Sequence, residues 1–210
     1  MTPSELIHMG VRADRAATYA PLLAMAMPEF GIDTLLRKKM FLPQVLHESM
    51  MLRCTTELWG AEPTAAQSTY ERDFSQSWGP GLQRGDRNYK AFNLGNSQPG
   101  DGKRYRGHGL LQSTGRYNHA KARDRLRARL PNHNVPDFEQ DPEALALPLW
   151  AVLSACDFWE AHNLNYWADL GDVDGVSDVI NRGKKTEIKG DANGFKERLA
   201  LFRVADEVLA

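Results

Sequence analysis

The chain has 210 residues, 42% of them hydrophobic and 25% charged, which suits one lobed globular domain with a proper core better than two independent domains or a disordered chain. Its formal charge of −1 lacks the basic surplus with which a general nucleic-acid binder displaces counterions, so nucleic acid is not an expected partner. Two cysteines, Cys54 and Cys156, lie in apolar helical surroundings and are too few for a disulfide framework. A bond between them is possible but not required.

The first ten residues, MTPSELIHMG, lack a basic region followed by an apolar run. No stretch approaches the roughly 20 apolar residues of a membrane span. The expectation is a chain made in the cytoplasm and initially kept there, without stable membrane insertion. Residues 11 to 28 carry apolar spacing interrupted by Pro21 and ended by Pro28 and Gly31, which predicts two short helical pieces. Asp33 or Thr34 then caps a central helix. From Phe41 onward that helix is apolar almost all round, with Leu42, Val45, Leu46, Met50, Met51 and Leu52, and such a helix belongs in a core. Pro43 inside it must kink the helix or begin a new one.

Pro63 and Thr64 open a further predicted helix to about Phe74. From Trp78 to Gly109 the pattern dissolves into a glycine-rich run with the aromatics Trp78, Tyr89, Phe92 and Tyr105 and the bases Arg84, Arg87, Lys90, Lys103, Arg104 and Arg106. Loops this long in a compact domain tend to be functional. Aromatic faces stack on sugars, and the bases could meet anionic groups of a glycan or, equally, nucleic-acid phosphates, between which the net charge of −1 favours the glycan. After it, Thr114 is a candidate cap for a basic helix from Arg116 to Leu130, whose Arg123, Arg125, Arg127 and Arg129 read as a solvated face. Asp141 and Pro142 start the next helix, with Leu145, Leu149, Val152, Leu153, Cys156 and Trp159 as core and Pro148 as a bend. Short helices follow from about Tyr166 and Asp172, ending at Asn181, Arg182 and Gly183. A charged loop spans 184 to 193, and the last helix carries Phe195, Leu199, Phe202 and Asp206 on one stripe.

Chemistry enters with Glu48. A carboxyl group on a buried apolar helix loses hydration and holds its proton more tightly, which describes a general acid. Nine residues on, beyond the helix, Glu57 stands before Leu58, Trp59 and Gly60, a composition suited to a wetter cleft wall. Two carboxyl groups in unlike environments are what glycoside hydrolysis requires. His47 is either the partner of Glu48 or a core histidine. A zinc hydrolase is set aside, because His47 and Glu48 are followed by Ser49, Met50 and Met51, with no second histidine at helical spacing. No metal or cofactor is expected.

Three stretches in this order, His47-Glu48 with Glu57, YRGHGLLQSTGRYNHA from Tyr105 to Ala120, and VINRG from Val179 to Gly183, resemble glycoside hydrolase family 19, the chitinases and the phage endolysins related to them. In that family a helix ends in His-Glu, a second Glu follows nine residues on in bacterial members, and a Tyr-x-Gly-Arg-Gly-x-x-Gln-Leu-Ser/Thr segment lines the cleft. The resemblance implies Glu48 as general acid, Glu57 as general base and Thr114 as the hydroxyl residue that helps hold the attacking water. It places Gln112, Tyr117, Asn118 and Asn181 at sugar-binding positions, with His47 and Tyr105 counted among the substrate-binding residues of the same motifs. His108 stands where the family has Arg, Met50 and Met51 replace small residues, and Arg182 replaces Gly.

The implied fold is mainly α, lysozyme-like or chitinase-like, in a single catalytic domain over 1–210, with 61–106 as a smaller lobe or flap over a cleft in a body made of 1–60 and 107–210. The implied reaction is inverting hydrolysis of the β-1,4 bond between N-acetylmuramic acid and N-acetylglucosamine in peptidoglycan, by a monomeric endolysin. It would be made in the bacterial host cytoplasm and reach the periplasmic wall through a separate membrane-permeabilising protein. A chitinase, a lytic transglycosylase that needs no Glu57, and a non-catalytic glycan-binding protein are the alternatives.

Overall fold

The structure, a computed structural model, describes residues 1–209. Among them lie eleven α-helices and one 3-10 helix, with extended backbone reduced to two isolated bridges. The fold is mainly α. Helix α1 (Pro3–His8) opens with a capping box between Thr2 and Glu5 and packs on α2 (Ala13–Glu29).

The predicted break at Pro21 does not occur, since α2 runs unbroken through both prolines. An interior proline costs about 3 kcal/mol. Burial of Tyr19, Leu23 and Met27 along one face, at roughly 1.5–3 kcal/mol per large side chain, outweighs it.

Helix α3 (Leu35–Glu48) is the central element. Thr34 caps it, its hydroxyl accepting from the Arg37 amide at 3.2 Å, and Met40 through Leu46 are buried, Pro43 included. The helix stops at Glu48, earlier than the apolar run of the sequence. Met50, Met51 and Leu52 then follow in left-handed conformation, φ 50°, 61° and 60°, a costly geometry for residues with a Cβ. Three contacts hold it: the Ser49 hydroxyl accepts from the Leu52 amide at 3.0 Å, Arg15 donates to the Met51 carbonyl at 2.6 Å, and Leu52 is buried. This turn carries the chain from Glu48 toward Glu57.

Residues 61–106 hold only short helices: α4 (Ala65–Ser68), α5 (Tyr89–Asn93) and α6 (Asp101–Arg104). The predicted helix to Phe74 ends at Ser68. Buried polar side chains tie the segment together where apolar area does not. Asn88 accepts from the Asp73 amide at 2.7 Å and donates to the carbonyls of Asp73 and Ser77. The Glu71 carboxylate accepts from the amides of Gly100 and Gly102. A Cβ at Gly102 would meet that carboxylate at 2.7 Å, so the residue must be glycine. Asn96 donates to the Tyr70 carbonyl and accepts from the Arg116 amide.

Helix α7 (Arg116–Arg129) is capped by Gly115, with the Thr114 hydroxyl turned to the Gln112 carbonyl instead. Of its arginines, Arg125, Arg127 and Arg129 are exposed, as expected of a solvated face, but all four are also engaged. Arg123 pairs with Asp124, Asp137 and Glu139, Arg125 with Asp157, and Arg129 with Glu160, while Arg127 donates to the Val135 carbonyl. After the 3-10 helix Pro142–Ala146, Pro148 is the first residue of α8 (Pro148–Ala161) and bends nothing, since a first-turn proline gives up no helical hydrogen bond.

Helices α9 (Leu164–Asp169), α10 (Val173–Arg182) and α11 (Phe195–Val208) complete the body. Helix α11 packs along α3, and α2 along α8. Phe41 meets the fully buried Trp159 edge-on at 5.2 Å between centroids. Both cysteines are free thiols, and burial pushes that of Cys156 far up. No helix among the described residues is long and apolar enough to cross a membrane.

Candidate active site

Glu48 ends α3, and its surroundings correct the sequence expectation. Its side chain is 22% exposed, and the buried partner is Arg198 of α11, 1% exposed, whose Nη2 donates to Glu48 Oε1. Arg198 is fixed in turn by Gln44 Oε1 and by the Asn193 carbonyl at 3.1 Å, and Gln44 donates to the Ser177 hydroxyl at 3.1 Å. A chain of buried polar groups from α10 through α3 to α11 therefore positions this carboxylate from one side only. Glu48 Oε2 has no hydrogen-bond partner among the described residues.

His47 is not the partner of Glu48. It lies against Gly194, the cap of α11, where a Cβ would come within 2.4 Å of Nε2. Burial first, and then the Arg198 charge, lower its pKa. It seats the start of the helix that carries Arg198.

Glu57 is held differently. Oε1 accepts from Gln67 Nε2 and Oε2 from the Gly107 amide, each at 3.0 Å, while the Glu57 amide donates to the Gly107 carbonyl at 2.7 Å. All its donors are neutral. Lys90 stands in its field, its pKa lowered by burial and partly restored by the Glu57 charge, with Nζ 4.4 Å from the centroid of Tyr70.

The bridges Thr56 to His108 and His108 to Ser113 form a minimal three-stranded ladder. Glu57 follows its first strand and Thr114 its last, so the ladder brings together residues 57 apart in sequence from the two expected motifs. The turn between the second and third strands runs through Gln112 at φ 50°. Gln112 Nε2 donates to the Gly109 carbonyl at 2.9 Å, and a Cβ at Gly107 would strike Gln112 Oε1 at 2.7 Å. The glycines of this motif are therefore packing requirements.

His108 occupies the middle of the ladder, fully buried. His119 Nδ1 lies 2.9 Å from the Gly115 carbonyl, an acceptor only, so that nitrogen carries the hydrogen and Nε2 accepts from His108 Nδ1 at 2.9 Å. His108 Nε2 is 3.5 Å from Glu143 Oε2 and has no other partner. Burial lowers the pKa of both rings, that of His119 to about 4.

The expected sugar-binding residues divide. Gln112, Thr114, Asn118 and Asn181 line one concavity of about 610 Å³, together with Lys121 and His162. Asn181 also lines a second, of about 950 Å³, between residues 84–90 and the loop after α10. Neither carboxylate lines either concavity. Each is linked to the wall of the second one through a single residue: the Asn193 carbonyl accepts from Arg198, which donates to Glu48, and Lys90 lies in the field of Glu57. Tyr105 does not belong to any such surface. It is fully buried, and its hydroxyl donates to the Glu139 carbonyl at 2.8 Å, because its ring fills the gap between His119 and Arg116. Tyr117 is exposed but lies apart from the Gln112 group, over Gly95 and beneath Lys121.

Sequence reasoning missed Arg198, Gln44 and Gln67. Arg198 had a signal. With Phe195, Leu199 and Phe202 it occupies i, i+3, i+4 and i+7 of one helix face, and a charge on an apolar stripe needs a buried partner.

No family model matches the chain. A "Glycosyl hydrolase family 19 domain-containing protein" of Haemophilus influenzae is 35% identical over 109 residues, which cover 52% of this chain and 44% of that protein. This chain thus spans under half the length of that relative. Among solved structures, chitinase C from Streptomyces griseus HUT6037 superposes with a TM-score of 0.65 at 17% identity, over 99% of this chain and 76% of the other. The two share the mainly helical fold.

Proposed function

We propose that the chain belongs with the chitinase-like enzymes of glycoside hydrolase family 19 and works as a phage endolysin, hydrolysing the bond between N-acetylmuramic acid and N-acetylglucosamine in peptidoglycan. The observation that carries this reading is the pair Glu48 and Glu57, anchored on separate elements by unlike partners, with Asn181 on the walls of both neighbouring concavities, one of which Gln112, Thr114 and Asn118 also line. The similarity to a family 19 relative and the shared fold with a chitinase support it.

In this reading Glu48 Oε2, the unpaired oxygen, gives its proton to the glycosidic oxygen as the bond to the anomeric carbon breaks. Arg198 holds Oε1 and so fixes the direction of that delivery. Glu57 takes a proton from a water that attacks the anomeric carbon on the opposite face, and the Thr114 hydroxyl orients that water. Gln67 and Gly107 keep the Glu57 carboxylate aimed. Residues 61–106, which supply Gln67 and Lys90, act as the smaller lobe over the cleft. The enzyme works as a monomer, made in the host cytoplasm and admitted to the periplasmic wall by a separate membrane-permeabilising protein.

The test is mass spectrometry of borohydride-reduced soluble products from purified Gram-negative peptidoglycan, digested by wild type and by Glu48→Gln in parallel. Hydrated fragments with reduced muramic ends, absent with the variant, are expected. Anhydro ends would replace the reading with a lytic transglycosylase, and cleavage of chitin oligomers alone would replace it with a chitinase.

A further inference from the structure

The larger concavity has a charge that neither the fold nor the overall composition explains. Five cations line it, Arg84, Arg87, Lys90, Arg182 and Lys184, against one carboxylate, Asp86, in a chain whose formal charge is −1. Asp86 is already occupied, since Oδ2 accepts from the Gln83 amide at 2.7 Å. Two of the cations are structurally engaged: Arg87 donates to the Glu71 carbonyl, and Arg182 to the Asp191 carbonyl. Arg84 and Lys184 are exposed and make no hydrogen bond or ion pair among the described residues. Lys90 rests only on the face of Tyr70. A fold does not place two unpaired cations, Arg84 and Lys184, beside a third, Lys90, that only the nearby Glu57 charge offsets, around one hollow for its own stability, because like charges in a concave site repel and their field is focused outward.

The hollow is linked to both carboxylates of the proposed chemistry, through Asn193 to Arg198 and Glu48 and through Lys90 to Glu57. A neutral N-acetylated glycan offers such a surface hydroxyl and amide groups only. A glycan bearing lactyl ethers and acidic peptides offers carboxylates at every second sugar. We infer that Arg84 and Lys184, with Lys90, form a carboxylate-binding subsite that selects an acidic glycan strand over a neutral one of the same backbone. This rests on the glycan-hydrolase reading above and names the residues that would set its substrate class. Both guanidinium and ammonium suit the task, Arg84 by a bidentate grip and Lys184 as a point charge on a flexible stem.

The test separates binding from turnover. Affinity is measured for the catalytically disabled E48Q/E57Q chain with soluble peptidoglycan strands, with the same strands after their carboxylates are converted to amides, and with neutral chitin oligomers. The measurements are repeated with Arg84→Gln and Lys184→Gln added. Binding should weaken about tenfold or more when the strands are amidated, and about three- to fivefold per cation removed, the size of an exposed ion pair. It should also fall with added salt. The two substitutions together should abolish the preference for native over amidated strands. Equal affinity of the E48Q/E57Q chain for native and amidated strands would overturn the inference, and so would an unchanged preference in the doubly neutralised variant. Turnover by the wild-type chain is scored separately. Hydrolysis of peptidoglycan without charge-selective binding removes the subsite and leaves the hydrolase standing, whereas charge-selective binding with no hydrolysis removes the hydrolase and leaves the subsite.

Discussion

The two proposed catalytic carboxylates stand on regions built by different means. Glu48 ends a helix packed between α9, α10 and α11, with Phe41, Leu42 and Leu46 buried in the same apolar core as Trp159 of α8. Glu57 leans on a segment with little apolar core, in which Asn88, Glu71, Asn96 and Asp101 hold glycine-rich backbone through directed hydrogen bonds. The apolar body tolerates small adjustments spread over many contacts. The hub-held segment has few contacts, each with defined geometry, and losing one strands its partners. One carboxylate is thus mounted on a rigid frame by a single cation, and the other on point contacts from neutral amides.

The sharpest way to break the comparison is at the carboxylates themselves. Glu48→Gln should lower turnover of peptidoglycan by at least about a thousandfold with the melting temperature nearly unchanged, since the amide can still accept from Arg198. Near-normal turnover would remove Glu48 from the chemistry. Next comes the cation behind it. Arg198→Leu strands Gln44 and Glu48 and should cost about 3 kcal/mol in chemical denaturation, and it should lower kcat more than it raises KM. Arg198→Lys should restore stability more fully than turnover, because an ammonium reaches Glu48 without the fork that also binds Gln44 and Asn193.

The histidine pair at the junction of the two regions tests the same contrast by pH. Burial lowers the pKa of His119 from 6.5 to about 4, so the unfolded chain binds the proton more readily. Stability from the neutral ring is fully present above about pH 6.5 and is lost as pH falls toward 4, by about 3 kcal/mol in all. His119→Asn should flatten that part of a stability profile measured by urea titration.

A smaller and more local effect is expected at a hub. Asn88→Ala leaves the Asp73 amide and two carbonyls unsatisfied and should cost about 1–3 kcal/mol. Amide exchange should rise across residues 70–100 and stay slow in α3 and α8, whereas uniform acceleration would mean that the two regions are one cooperative unit. The smallest effect is a gain. Met50 is exposed at φ 50°, and Met50→Gly should raise stability in urea titration by up to about 1 kcal/mol, through relief of the left-handed strain.

The apolar body was legible in the sequence because hydrophobic periodicity reports continuous burial. The α3 cap at Thr34, the core of α8 and the close of α10 at Gly183 all follow from local rules. The segment was not legible, since a side chain such as Asn88 that satisfies backbone groups 11 to 15 residues away leaves no periodic trace. The failures within the body share a cause. Pro21 reads as a break and Pro148 as a bend because local propensity takes no account of tertiary burial or of position in the turn. Met50 to Leu52 read as helix because apolar residues in a tight left-handed turn look the same in a one-dimensional pattern. At the candidate site, the sequence motifs mark Glu48, Glu57, Gln112 and Thr114, while the groups that hold the two carboxylates, Arg198 and Gln67, come from distant stretches. Tyr105 opens the motif run from Tyr105 to Ala120, yet its ring is walled in.

The account turns on two carboxylates working on opposite faces of one sugar ring, and the anomer released first reports that directly. Proton NMR of a soluble peptidoglycan tetrasaccharide during the opening minutes of digestion should show the α-anomer at the new reducing end accumulating ahead of mutarotation, the mark of a single inverting displacement with water. A β-anomer formed first, or an anhydro end with no anomeric proton exchange, would contradict it and take the water-activating role away from Glu57.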